Sequence, residues 1–73
     1  MVILEVKYMT INAIRIETLL AERGMTKADL AHSCGVSRQN ISTIVRRGTA
    51  APKTVGKIAK GLGVPVTDIL KEL

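Results

Sequence analysis

Residues 27–46, KADLAHSCGVSRQNISTIVR, decide the fold. They read as two short helices separated only by Gly35-Val36-Ser37. That connection is too tight for the helices to lie antiparallel. Leu30, Ala31 and Cys34 recur on one side of the first helix, and Ile41, Ile44 and Val45 on one side of the second. Ala31 must be small where the second helix crosses the first. Gly35 tolerates the left-handed backbone of a tight helix exit. Leu30, Val36, Ile41 and Ile44 fill the wedge and fix the crossing angle. The boundaries are equally legible. Thr26-Lys27-Ala28-Asp29 is a capping box opening the first helix, Lys27 to Cys34. Ser37 caps the second, Arg38 to Arg47, and Gly48 stops it.

This arrangement turns Arg38, Gln39, Asn40, Ser42, Thr43 and Arg46 outward. None is acidic, and all offer hydrogen bonds to phosphates or base edges; Arg and Gln suit bidentate contacts with guanine and adenine. The helix amino end adds free amides and a positive dipole end. Charge placement agrees. The net charge is +5. No acid stands between Asp29 and Asp68, while Arg38, Arg46, Arg47, Lys53, Lys57 and Lys60 fall there. A segment this one-sided suits an anionic partner.

Outward from this centre, Ile16, Leu19, Leu20 and Arg23 keep helical spacing from Asn12 to a stop at Gly24. Residues 49–52 read as a short exposed connection. A fourth helix, residues 53–62, carries Val55, Ile58, Ala59 and Leu62 in one stripe. Gly56 and Gly61 each cost it about 1 kcal/mol relative to alanine, with close packing expected at Gly56 and fraying at Gly61. After Gly63-Val64-Pro65, residues 66–73 read as a short final helix with Ile69, Leu70 and Leu73 apolar. Leu70 and Leu73 either close the monomer core or lie across a dimer axis. At the other end, residues 2–8 (VILEVKY) alternate like a strand, with Leu4, Val6 and Tyr8 on one face. Such a strand needs a partner edge; the alternative is that Met9 is the natural start. The organisation is therefore an N-terminal extension, residues 1–9, and one domain, residues 10–73.

Length and composition bound the rest. Seventy-three residues hold one domain with a modest core. Cys34 is the only cysteine, so no intramolecular disulfide adds stability, and self-association as a homodimer is the expected substitute. His32 and Cys34 are too few for an ordinary zinc site, and no cofactor motif is present. Cys34 reads as a small buried hydrophobe and His32 as solvated. Ser37 and His32 lack a fitting acid for nucleophilic catalysis, so an enzyme is not expected. With no membrane-length apolar run and no signal sequence, a cytoplasmic location is expected.

The residues Leu30-Ala31, Gly35-Val36-Ser37, Ile41, Ile44, Arg47-Gly48, Pro52, Ile58-Ala59 and Leu62-Gly63-Val64 together resemble the lambda-repressor-like helix-turn-helix family, the phage repressor, Cro and Xre group. The likeness covers roughly residues 14–70. It implies an all-α fold, a compact bundle of about five helices whose second and third form the DNA-reading unit; the short N-terminal strand read from residues 2–8 would be an addition to it. It further implies roles by position. Arg38, Gln39 and Thr43 fall where the family most often reads base edges. Ser37, Asn40, Ser42, Arg46 and Arg47 fall at or near phosphate-holding positions, and Lys53 is placed with them. Lys27 departs from the glutamine that members often carry just after the helix-two cap; lysine there can meet a phosphate but lacks the amide with which glutamine supports base reading. The function implied is a sequence-specific double-stranded DNA-binding regulator, a repressor acting as a homodimer on an inverted repeat. The rival is a protein-interaction module on the same fold, an antirepressor or antitoxin-like chain with a protein partner and weak or shared DNA binding.

Overall fold

A computed structural model of the chain describes residues 7–71. A two-residue strand β1 (Met9–Thr10) leads into α1 (Ala13–Arg23), α2 (Lys27–Cys34) and α3 (Arg38–Arg47). A second short strand β2 (Thr49–Ala50), α4 (Pro52–Leu62) and a 3₁₀ turn at Val66–Asp68 complete the order.

Each helix begins and ends where local chemistry dictates. Asn12 caps α1 by accepting from the Arg15 amide at 2.9 Å. The capping box of α2 is complete: the Asp29 N–H donates to the Thr26 hydroxyl at 3.0 Å, and the Thr26 N–H donates to the Asp29 carboxylate at 2.9 Å. Two amides that the helix itself leaves unpaired are thereby satisfied. Ser37 caps α3, accepting from the Asn40 amide at 3.1 Å. α4 has no side-chain cap and starts on Pro52, whose fixed φ suits the first turn.

The apolar stripes meet in one core. Ile16, Leu30, Ile41, Val55, Ile58 and Ile69 are fully enclosed, and among the described residues no polar side chain is buried. α2 packs against both α3 and α4, and α1 packs against α3. The contact between α2 and α4 is tight at Gly61. A β-carbon added there would lie 3.1 Å from the Cys34 Cβ and 3.3 Å from the Leu30 Cδ1, whereas at Gly56 it would meet nothing within 4 Å. The expectation for these two glycines is therefore reversed. Gly61 is the contact point, and Gly56 faces open space.

The chain departs from an all-α bundle, and among the described residues the five-helix count gives way to four α-helices with a 3₁₀ turn. Met9 and Thr10 pair antiparallel with Ala50 and Thr49. On the opposite side, the Asn12 N–H donates to the Ile69 carbonyl at 2.8 Å and the Lys71 N–H to the Thr10 carbonyl at 3.1 Å. Ile11 bridges Leu70. These bonds explain the missing fifth α-helix, because backbone groups that would extend it beyond Asp68 are already held by residues 10–12. They also correct the connection at residues 49–52, where Ala50 is buried and paired rather than exposed. Lys7 and Tyr8 are not strand. The remainder of the expected leader strand, residues 2–6, lies outside the described residues, as does Leu73. Leu70 is half-buried against the core. Among the described residues no helix is long and apolar enough to cross a membrane.

Candidate nucleic-acid interface

The bend between α2 and α3 sets the direction in which α3 presents its side chains. Gly35 leaves α2 at φ 71°, in the left-handed region, and the Val36 N–H returns to the Ala31 carbonyl at 3.2 Å. A bulky side chain at residue 31, which is nearly enclosed, would push the two helices apart. Ile41 and Ile44 then anchor the inner face of α3, at 1% and 6% exposure. The opposite face has no choice but to look outward. Arg38, Gln39, Asn40, Ser42, Arg46 and Arg47 are exposed, and Thr43 is half-buried.

Hydrogen bonding within the chain limits what each side chain has left to offer. The Ser37 hydroxyl accepts from Asn40 and keeps its own hydrogen to donate outward. The Thr43 hydroxyl donates to the Gln39 carbonyl at 2.9 Å. What Thr43 presents is a methyl group and an acceptor lone pair, not a free donor. Among the described residues, the long side chains of Arg38, Gln39, Arg46 and Arg47 make no ion pair or side-chain hydrogen bond. They are free to meet a ligand.

Lys27 is placed differently. Its ammonium lies 3.0 Å from a carboxylate oxygen of Glu17 on α1. The same residue lines an open cleft of about 450 Å³ with Thr26, Ala28, Arg38 and Ser42. The fold thus brings Lys27, Arg38 and Ser42 together where the amino ends of α2 and α3 meet. Arg46 and Arg47 stand at the far end of α3, and Lys53 is exposed in the first turn of α4. Glu17 is the residue that sequence reasoning passed over. It belongs to another helix, so no spacing in the chain signals the pairing.

Electrostatics near α2 follow from its cap. The Thr26 N–H bonded to the Asp29 carboxylate holds that group below its ordinary carboxyl value, with smaller contributions from the Thr26 hydroxyl and from His32. Asp29 stays ionised and occupied with the helix end. His32 is exposed as expected. Cys34 is half-buried rather than enclosed, its Sγ 3.8 Å from the Ala31 carbonyl. It borders a second open cleft with Ser33, Lys57, Lys60 and Gly61, at the other end of α2.

Two helices joined by a tight glycine exit, with an acid-free polar surface on the second, define a helix-turn-helix DNA-binding module. Comparison with known proteins gives the same class. The helix-turn-helix family model matches residues 16–69, and the chain belongs to that family, in its lambda-repressor-like, Xre-type branch. Two solved mutants of the restriction-modification controller protein C.Esp1396I are 35% and 34% identical, with TM-scores of 0.67 and 0.66. In both, the match covers 75% of this chain and 73% of that one. PhpD, solved with cadmium and hydroethylphosphonate, superposes with a TM-score of 0.74 at 17% identity. That match covers 88% of this chain but only 14% of PhpD, and at this identity it shows the fold alone. No curated protein matches the chain.

Proposed function

We propose that the chain is a sequence-specific transcriptional regulator of the repressor type, binding an inverted-repeat operator in double-stranded DNA as a homodimer. The observation that carries this reading is the outward face of α3. Seven polar side chains stand there without an acid, held by a helix whose inner face is pinned in the core. A protein-docking face would be expected to carry apolar residues at these positions, and α3 turns its apolar residues inward.

In this reading Arg38, Gln39 and Thr43 contact base edges. Arg38 offers a bidentate donor to guanine, Gln39 a donor and acceptor to adenine, and Thr43 its methyl and lone pair. Ser37, Asn40, Ser42, Arg46, Arg47 and Lys53 hold phosphates, and Lys27 joins them at the amino end of α2. Phosphate contacts supply most of the affinity and set the register; the base contacts discriminate. Two copies related by a two-fold axis present α3 to successive major grooves about 34 Å apart. The likeness to a restriction-modification controller protein supports a regulatory role for a chain of this size.

Selection of bound sequences from random duplexes, with light scattering on the complex, tests this. A single enriched inverted repeat carried by two copies of the chain is expected. Enrichment of no sequence, or binding by one copy to an asymmetric site, contradicts it.

A further inference from the structure

The Lys27–Glu17 pair stands at the edge of the candidate interface, and nothing in the helix-turn-helix geometry requires it. The two side chains are only partly covered, at 37% and 54% exposure, so their contact contributes little to folding. Lys27 nevertheless shares a cleft with Arg38 and Ser42, where a DNA phosphate would sit. Glu17 approaches the lysine from α1, a helix that otherwise has no part in the interface.

We propose that Glu17 is an internal competitor for phosphate: its carboxylate neutralises Lys27 in the free protein and lowers affinity for DNA backbone irrespective of base sequence. This rests on the DNA-binding reading above and specifies how that site is regulated. The physical ground is simple. A phosphate arriving at a lysine already paired at 3.0 Å meets no net charge. To gain the contact, it must displace the carboxylate or share the ammonium with it, and the carboxylate repels it in either case. Arg38, Arg46 and Arg47 carry no such partner among the described residues, so the effect falls on one phosphate position. The consequence is selectivity. Weakening a sequence-independent contact leaves the base-reading side chains with a larger share of the total binding energy.

The test is binding of a selected operator and of a random duplex as a function of salt, using the full chain and four variants. These are Glu17→Gln, Glu22→Gln, Lys27→Met and the double variant Glu17→Gln/Lys27→Met. Glu22 lies exposed on the same helix and serves as the control for a general change of charge. Glu17→Gln is expected to tighten binding to both duplexes. It should add about 0.9 per subunit to the salt slope, which is a further loss of about 3.5-fold per subunit between 50 and 200 mM salt. Glu22→Gln should do much less, and Glu17→Gln should lose its special effect once Lys27 is methionine. The proposal is overturned if Glu17→Gln equals Glu22→Gln, if it weakens binding, or if its effect survives in the Lys27→Met chain. Failure of the unaltered chain to bind either duplex in dilute buffer would instead overturn the DNA-binding reading on which the proposal stands.

Discussion

At the scale of single residues, side chains on the outward face of α3 differ in what they can still bond. The Arg38 side chain makes no hydrogen bond or ion pair among the described residues and lines the cleft between α2 and α3. Arg38→Ala should therefore cost about 1–3 kcal/mol at one base position of the selected operator and relax discrimination there. The check is binding to operators substituted one pair at a time. Equal losses on operator and random duplex would reassign Arg38 to the phosphates. Asp29 supports a prediction about folding instead. Its carboxyl is held below its ordinary value by the Thr26 amide. A group whose folded pKa is depressed contributes stability above its unfolded pKa and loses that contribution as pH falls through the folded value. Asp29→Asn should thus be less stable than the parent at neutral pH, and the two melting curves should converge below about pH 4. Parallel acid profiles would contradict the capping role. Residue types on α3 could be read from sequence because they follow helical spacing, but their internal bonds could not. Nothing in the order of residues tells that Thr43 spends its hydrogen on Gln39 or that Glu17 reaches Lys27.

At the scale of elements, α2 and α3 have the boundaries that their caps predict, because the signals are local. Thr26, Asp29 and Ser37 act within three residues of their targets. Departures occur where bonds run between distant segments. The expected fifth helix becomes a 3₁₀ turn because Thr10 and Asn12 engage Lys71 and Ile69, an arrangement that periodicity in residues 66–73 does not encode. The roles of the two glycines of α4 differ from expectation for the same reason, since close approach is a property of a pair of helices. Their surroundings predict opposite signs. Gly56→Ala gains helix propensity in open space and should stabilise the fold by up to about 1 kcal/mol. Gly61→Ala places a carbon 3.1 Å from the Cys34 Cβ, which is fixed to the α2 backbone and yields only if that helix moves. It should destabilise by about 1 kcal/mol, the crowding outweighing the propensity gain. Urea unfolding of both variants decides the matter, and equal shifts of the same sign would contradict the packing described here.

At the scale of the whole molecule, the fold is a device for holding α3 still. α4 packs against α2 and α1 against α3, the small sheet holds β1 to β2, and the Ile11–Leu70 bridge ties the start of the domain to its end. If each subunit of the proposed dimer neutralises three or four phosphates, log affinity should fall against log salt with a slope of roughly −5 to −7. A slope near zero would mean that the basic segment from Arg38 to Lys60 does not face the duplex. The most direct test is to titrate the isotope-labelled chain with its selected duplex and follow every backbone amide by NMR. The account predicts that the largest shifts fall on residues 37–47 and on Thr26, Lys27 and Ala28, where α2 and α3 meet. Shifts concentrated instead on β1 and the outer side of α1, with α3 unmoved, would contradict it.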